Sequence, residues 1–414
     1  MASIVKPGCV PESGSPSLQE VYDRAFTRAT GAPLVTGNTV RLLRDAAENY
    51  PAWLAAIGEA STSILFESYL FKDDPVGREF AAALEAKARE GVSVRVVYDW
   101  LGSRGSNGLW DRLRAAGAEV LPFNPFRFDR PLGWLMRDHR KTIVVDGSIG
   151  FVSGLCVSAA WVGHPARRFD PWRDTGLEMR GPAVGELQRA FGLVWVACGG
   201  MPFDLPAVPA EAADGGEGVA VRVVAGMPST AGLFRLDQLI ASTASRYLWL
   251  TDAYFVGISP YVQALCAAAR DGVDVRLLVP GASDIPVLQP LSRAGYRPLL
   301  AAGVRVFEWN GTMLHAKSAV ADGIWSRIGS TNLNFSSWIQ NWELDIAIED
   351  ARLAGQMAAM YEDDLANSTE IVLTKRYRVR STADAGIQRG SRHAASGSAN
   401  RAAAGALAVG STLG

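Results

Sequence analysis

The sequence predicts an α/β protein of two tandem domains, each a mixed sheet flanked by helices, packed pseudo-symmetrically around one shared site. Three observations predict it. Apolar strand-like runs alternate with amphipathic helical ones. Segments of the first half recur in the same order in the second. The last pair, "DHRKTIVVDG" from Asp138 and "LHAKSAVADG" from Leu314, sets the same polar cluster on two otherwise apolar strands.

The elements follow in order. "SILFESYLF", from Ser63, is a buried strand run. "GREFAAALEAKAREG" is amphipathic and stops at Gly91, a residue suited to the left-handed backbone after a helix. "VSVRVVYD" is a strand, "GLWDRLRAAG" a short helix ending at Gly117, and "AEVLPF" a strand again. The second half repeats the series as "YLWLTDAYFV", "PYVQALCAAARDG", "VDVRLLVP", "RPLLAAG" and "VRVFEW". "FESYLF" pairs with "TDAYFV", "REGVSVRVVYD" with "RDGVDVRLLVP", and "LRAAGAEVLPFN" with "LLAAGVRVFEWN". Mates lie about 180 residues apart, varying by about ten as loop insertions would make them. "KTIVVDG" and "KSAVADG" read as strands closed by an Asp-Gly turn.

These signals place an N-terminal extension at residues 1–36 and the first domain at 37–202, with its motif at 139–146. A linker rich in Pro, Gly and Ala spans 203–218. The second domain covers 219–370, with its motif at 315–322, and a tail runs over 371–414. The tail is rich in Ala, Gly and Ser from Ser381 and is expected to be flexible.

Composition narrows the class. With 48% hydrophobic and 20% charged residues the chain is globular and can bury a sizeable core. Lys and Arg (41) balance Asp and Glu (42), so no global field attracts nucleic acid, and none is expected as a partner. The four cysteines, Cys9, Cys156, Cys198 and Cys266, have neither metal-ligand spacing nor a disulfide framework, as suits a reducing compartment. No apolar run reaches the roughly 18–20 residues of a membrane span, and the N-terminus lacks the pattern of a signal peptide. The chain is expected to be made and kept in the cytoplasm, with any membrane contact peripheral and at the cytoplasmic face of the membrane.

The repeated cluster points to phosphoryl chemistry. On a strand, residues two apart share a face, so His139 and Lys141 go together, as do His315 and Lys317. Two imidazoles and two ammonium groups make a concentrated positive site that suits a phosphate. A metal site would want carboxylates or more histidines, and acyl transfer would want Ser or Cys beside one His. Two histidines around one phosphorus permit a double displacement, one as nucleophile and the other as proton carrier. That scheme needs one neutral and one protonated imidazole, so their environments must separate the two pKa values. Ser330 and Asn332 in "IGSTNLN", and Ser153 and Cys156 in "VSGLCVS", are placed to bond phosphate oxygens. Asp174 in "WRDTGLE" and Glu343 in "NWELDIA" occupy equivalent places and can orient a histidine.

The chain resembles the phospholipase D superfamily, whose signature is His-x-Lys-x4-Asp followed by a Gly/Ser-rich turn. Within it the chain is similar to bacterial cardiolipin synthases of the short type without N-terminal spans. The likeness rests on "ESYLFKDDPVG", "HRKTIVVDGSIGFVSG", "PWRDTGLEMRGPAV", "TDAYFV", "LLVPGASD" and "LHAKSAVADGIWSRIGSTNLNFSSWIQNWE", over Gly37 to Asn367. It implies one active site between the halves, working without metal or cofactor through a phosphohistidine. His139 and His315 would be nucleophile and general acid/base, with the nucleophile placed in the first motif. Lys141 and Lys317 would bind phosphate, and Asp146 and Asp322 would brace the motifs. The first copy departs from the family pattern: Ser153, Gly154 and Cys156 stand where relatives have two glycines and an Asn.

The implied substrate is a phospholipid, with phosphatidylglycerol as donor and acceptor. Water in place of the second alcohol would make the enzyme a phospholipase D. A nuclease or other phosphodiesterase of the same superfamily and a non-catalytic lipid-binding protein are the other classes. "PFNPFRFDRPLGWLMRDHR" mixes Phe123, Phe126, Phe128, Trp134, Leu135 and Met136 with Arg127, Arg130 and Arg137, a composition suited to an anionic membrane surface. "WVGHPARRF", from Trp161, is a second such candidate.

Overall fold

The computed structural model of the chain describes residues 17–126, 128, 135–167, 169–208, 218–285 and 288–373. The segment from Ser381, expected to be flexible, and residues 209–217 of the linker lie outside these. The first half opens with α1 (Leu18–Thr30), β1 (Val35–Arg44) and α2 (Asp45–Glu59). The series read from the sequence then follows as β2 (Ser63–Ser68), α3 (Pro75–Arg89), β3 (Ser93–Asp99), α4 (Asn107–Ala115) and β4 (Glu119–Phe123). The half ends with β5 (Lys141–Val145), β6 (Ile149–Ser153), β7 (Thr175–Arg180) and α5 (Val184–Ala197).

The second half repeats the plan. It begins with β8 (Val219–Gly226), α6 (Gly232–Thr243), β9 (Tyr247–Thr251), α7 (Ser259–Arg270) and β10 (Asp274–Pro280). It continues with α8 (Leu288–Ala302), β11 (Arg305–Trp309), β12 (Ser318–Ala321) and β13 (Trp325–Gly329). It closes with β14 (Glu343–Glu349), α9 (Ala351–Ala366) and β15 (Ser368–Ile371).

Among the described residues the strands join in one sheet, ordered β15-β11-β10-β9-β12-β13-β14-β8-β1-β7-β6-β5-β2-β3-β4. Read outward from its middle, the β8 side mirrors the β1 side strand for strand as far as β11 and β4, and β15 adds an edge strand on the β8 side. The sheet is mixed: β2, β3 and β4 run parallel, as do β9, β10 and β11, whereas β5 and β12 pair antiparallel with their neighbours. Alternate residues face opposite layers, so Leu65 joins a core with α5 and α9 while Ile64 and Phe66 join one with α2, α3 and α4. The core under α5 and α9 takes side chains from both halves, including Phe191, Ile346, Leu353 and Tyr361. The linker does not begin as free chain, because Phe203 packs on Trp195 and Arg95 lies over its ring at 4.0 Å.

Two buried arginines tie the halves together. Arg173 grips Asp364 of α9 with two parallel hydrogen bonds of 2.8 and 2.9 Å and reaches Asp45 at 3.1 Å. Arg140, fully buried beside the first motif, donates to the carbonyls of Ala190, Gly226 and Glu343 and lies over the Trp342 ring.

Candidate active site

The motif histidines sit just ahead of their strands. β5 pairs with β2 from Lys141 opposite Ser68, and β12 pairs with β9 from Ser318 opposite Thr251. Before those points the backbone leaves its own sheet edge and bonds to the other half. The His139 amide donates to the Trp342 carbonyl at 2.9 Å, and the His315 amide to the Arg173 carbonyl at 2.7 Å. Strand pairing therefore begins two residues after His139 and three after His315, because the cross-half bridges claim the histidine backbone.

Each bridge delivers a carboxylate to the neighbouring histidine. His139 Nδ1 lies 2.9 Å from Glu343 Oε2, and His315 Nδ1 lies 2.8 Å from Asp174 Oδ2. The pairing is crosswise: each half supplies the acid for the other half's imidazole. His139 Nδ1 also faces the Ser330 carbonyl at 3.1 Å, an acceptor only, so Nδ1 carries the proton and Nε2 keeps its lone pair. Burial pushes the pKa of both histidines down. His315 falls to about 3, with the Lys317 ammonium beside it as the next cause, while Asp174 opposes the fall. For His139 burial leads, and Glu343 opposes it. Glu343 and Asp174 are themselves held below the usual carboxylate range despite burial, by the histidines and lysines around them. Both imidazoles are thus pushed toward the neutral form, His315 down to about 3 and His139 below its ordinary value.

The two copies brace their acids differently. Ser330 donates its hydroxyl to Glu343 Oε2 at 2.6 Å and accepts from the Leu344 amide. The equivalent of Ser330 is Gly154, where an added Cβ would sit 2.1 Å from Asp174 Oδ1. Asp is shorter than Glu by one methylene, so the Asp174 carboxylate lies against the backbone and leaves no room for a serine. Trp161 takes over instead, donating Nε1 to Asp174 Oδ2 at 2.8 Å.

Both histidines open on one cavity of about 590 Å³, whose wall includes Cys156, Asn332, Trp172, Tyr69 and Tyr254. Lys141 and Lys317 lie buried behind the histidines, each donating to the carbonyl of its own motif histidine. Tyr69 packs edge-on against His139 at 4.9 Å and Tyr254 against His315 at 5.7 Å, with Lys141 and Lys317 over the same rings. Asn332 holds a buried Oδ1 without a partner among the described residues. Its counterpart Cys156 presents a thiol whose pKa burial pushes up, so it remains neutral. Ser153 and Ser330 are not on the cavity wall; Ser153 donates to the Leu155 carbonyl at 3.3 Å.

Asp146 and Asp322 lie at the far ends of their strands, roughly 17 Å along β5 from Lys141 in the first copy. Both have positive φ, 52° and 53°, and each is followed by a glycine with positive φ, the hairpin-turn geometry that Asp-Gly favours. Asp146 accepts from the amides of Ser61, Thr62 and Ser63 at 2.8 Å each, and Asp322 from those of Ser245, Arg246 and Tyr247. These bonds outweigh partial burial and lower the Asp146 carboxyl to about 2.

The sequence reading missed the repeated tyrosines, though each is the fourth residue of a matched pair, "FESYLF" and "TDAYFV". It misplaced others. Phe123 is buried and packs on Trp342, Arg137 is buried, and Trp161 is buried against His315 at 5.2 Å, so none of these faces a membrane. They were assigned by composition, which cannot tell a core aromatic from a surface one. Arg127, Arg130 and Trp134 lie outside the described residues.

A family model described as "Cardiolipin synthase, PLD-like domain" matches residues 53–160 and 236–365, taking in both motifs. Over 377 residues the chain is 33% identical to cardiolipin synthase A of Pseudomonas aeruginosa (strain LESB58), covering 88% of this chain and 74% of that protein. It is 32% identical over 369 residues to cardiolipin synthase 2 of Bacillus anthracis, covering 87% and 71%. Among solved structures it resembles phosphatidylserine synthase from Haemophilus influenzae Rd KW20, with a TM-score of 0.61 at 15% identity, over 84% of this chain and 91% of that one. Polyphosphate kinase from Porphyromonas gingivalis shares the fold at a TM-score of 0.54 and 17% identity, over 94% and 56%. The chain belongs to the phospholipase D-like cardiolipin synthase family.

Proposed function

We propose that the chain is a phosphatidyltransferase that joins two phosphatidylglycerols into cardiolipin with release of glycerol, through a phosphatidyl-histidine and without a metal ion. The observation that carries this is the pair of buried histidines, each held at Nδ1 by a carboxylate of the opposite half, opening on one cavity. In His139, Nδ1 acting as donor leaves Nε2 to the substrate.

His139 Nε2 attacks phosphorus, and the bond to the leaving glycerol oxygen breaks as His315 supplies its proton. An incoming alcohol then gives its proton to His315, and its oxygen attacks phosphorus as the P–N bond breaks. His315 must first gain a proton that burial denies it in the empty site. The negative charge of a bound phosphodiester raises its pKa, so substrate binding itself arms the acid. Lys141 and Lys317 supply fixed positive charge behind the histidines for the phosphoryl oxygens.

A lipid surface is the fitting partner. Among the described residues no helix is long and apolar enough to cross a membrane. Phe128 is 92% exposed, and Phe126, Leu135 and Met136 are exposed in the same stretch. Phe335 and Ile285, also exposed, line the cavity itself. This apolar rim lets a lipid headgroup reach the histidines while its chains stay in the bilayer.

The test is mass spectrometry of lipids after incubation with phosphatidylglycerol vesicles in excess chelator. Cardiolipin and glycerol are expected. Phosphatidic acid alone would make the protein a hydrolase, and loss of product on chelation would overturn metal independence. His139→Ala and His315→Ala are each expected to lower turnover by about a thousandfold or more, and His315→Ala to accumulate lipid on His139.

A further inference from the structure

Arg137 breaks the symmetry of the site. It immediately precedes "DHRK" and lines the cavity that holds both histidines. Its counterpart in the second half is Met313. Its anchor, Asp99 at the end of β3, has Pro280 as counterpart at the end of β10. The histidines, lysines, tyrosines and carboxylates all come in pairs, so the Arg137 charge is additional to the machinery around the transferred phosphorus.

Its place is firmly set. The Arg137 carbonyl accepts from the Trp342 amide at 2.9 Å, and the Arg137 amide donates to Asn341 Oδ1 at 3.3 Å. Arg137 Nη1 donates to Asp99 Oδ1 at 3.1 Å. Asp99 is held in turn by the amides of Leu101, Gly102 and Asp138. The side chain is only 9% exposed, yet Nε and Nη2 have no hydrogen-bond partner among the described residues. Those two nitrogens form one edge of the guanidinium, the fork that takes a phosphate with two parallel bonds. Buried charged donors left without partners are costly, which favours a ligand that engages them. Arg137 itself lines that cavity, so a ligand engages these donors through a local turn of the guanidinium about its Asp99 anchor. Asp284 lines the same cavity from the second half, but the Tyr254 hydroxyl donates to it at 2.7 Å.

We infer that the Nε–Nη2 edge of Arg137 binds the phosphodiester of the acceptor lipid, making Arg137 a specificity-determining residue for alcohols that carry their own phosphate. The inference rests on the phosphatidyltransferase reading. Joining two phosphate-bearing lipids brings two anions into one cavity. The paired lysines serve the phosphorus under attack, and the other phosphate needs a donor set of its own.

The test compares unlabelled phosphatidylglycerol and glycerol as acceptors for a phosphatidylglycerol donor labelled in its head-group glycerol, whose release reports transfer to either. The readout is the ratio of kcat/KM for the two acceptors. Arg137→Gln is expected to lower that ratio about tenfold or more, the loss of a charged, two-pronged contact. Arg137→Lys, which keeps the charge and the Asp99 ion pair but not the fork, is expected to lower it as well. A ratio unchanged in both variants, with both rates falling in parallel, overturns the assignment and makes Arg137 a structural brace. If even the unmodified enzyme transfers to neither alcohol, the transferase reading itself fails, a result distinct from the parallel loss. Thermal melting of the Lys variant near that of the unmodified protein guards against misfolding.

Discussion

Lys317 carries a titration that activity will report. Burial lowers its ammonium to about 8, and Lys141 adds repulsion while Asp174 opposes the fall. Above that pH the free enzyme loses a positive charge behind His315, and its attraction for phosphate falls. Because kcat/KM reports groups of the free enzyme, it is expected to fall above about pH 8. Lys317→Arg keeps its charge throughout and is expected to lose this alkaline limb, whatever its rate. An unchanged limb in the Arg variant would assign the titration elsewhere. The acidic side follows the histidine in the opposite sense: the bound phosphodiester raises its pKa so that it takes a proton from solvent, and neutral His315 in the empty enzyme is compatible with turnover near neutrality.

Within single elements, Asp146 and Asp322 show how a motif residue acts from a distance. Their carboxylates are occupied by backbone amides at the start of β2 and β9, pinning the hairpin turns that keep β5 and β12 in register with their neighbours. Asp146→Ala removes those acceptors and places a less tolerant residue at positive φ. It is expected to cost about 1–3 kcal/mol in a denaturant melt. Turnover per folded molecule should then stay within about twofold; a far larger drop would put Asp146 in the chemistry. The strand–helix alternation was legible because each element has a strong apolar period and a glycine stop. By contrast, β1 was not, since "VTGNTVRLLR" mixes Gly, Asn, Thr and Arg and alternates poorly. The equivalence of Asp174 and Glu343 was also legible from the repeat. Which histidine each one serves was not, because a repeat aligns the two halves without saying how they pack, and the crosswise bonds depend on that packing alone.

Across the whole molecule, the halves behave as one body. A continuous sheet, a core shared under α5 and α9, and the Arg173–Asp364 clamp all cross the pseudo-dyad. Asp364→Ala leaves the buried Arg173 guanidinium with Asp45 as its remaining carboxylate and is expected to destabilise the entire protein by about 3 kcal/mol. Activity should fall too, since the Arg173 backbone holds His315. Replacing both partners by Met and Leu should recover most of the stability, and melting curves of the three variants check the pair. The crosswise carboxylates also have a consequence in time. A ribosome makes His139 204 residues before Glu343, so through most of synthesis the first imidazole has no acid at its Nδ1. Asp174 likewise precedes the histidine it serves by 141 residues. A nascent or truncated chain thus carries both motifs' letters without a working pair. The crosswise pairs are complete only once β14, which opens with Glu343, has been made.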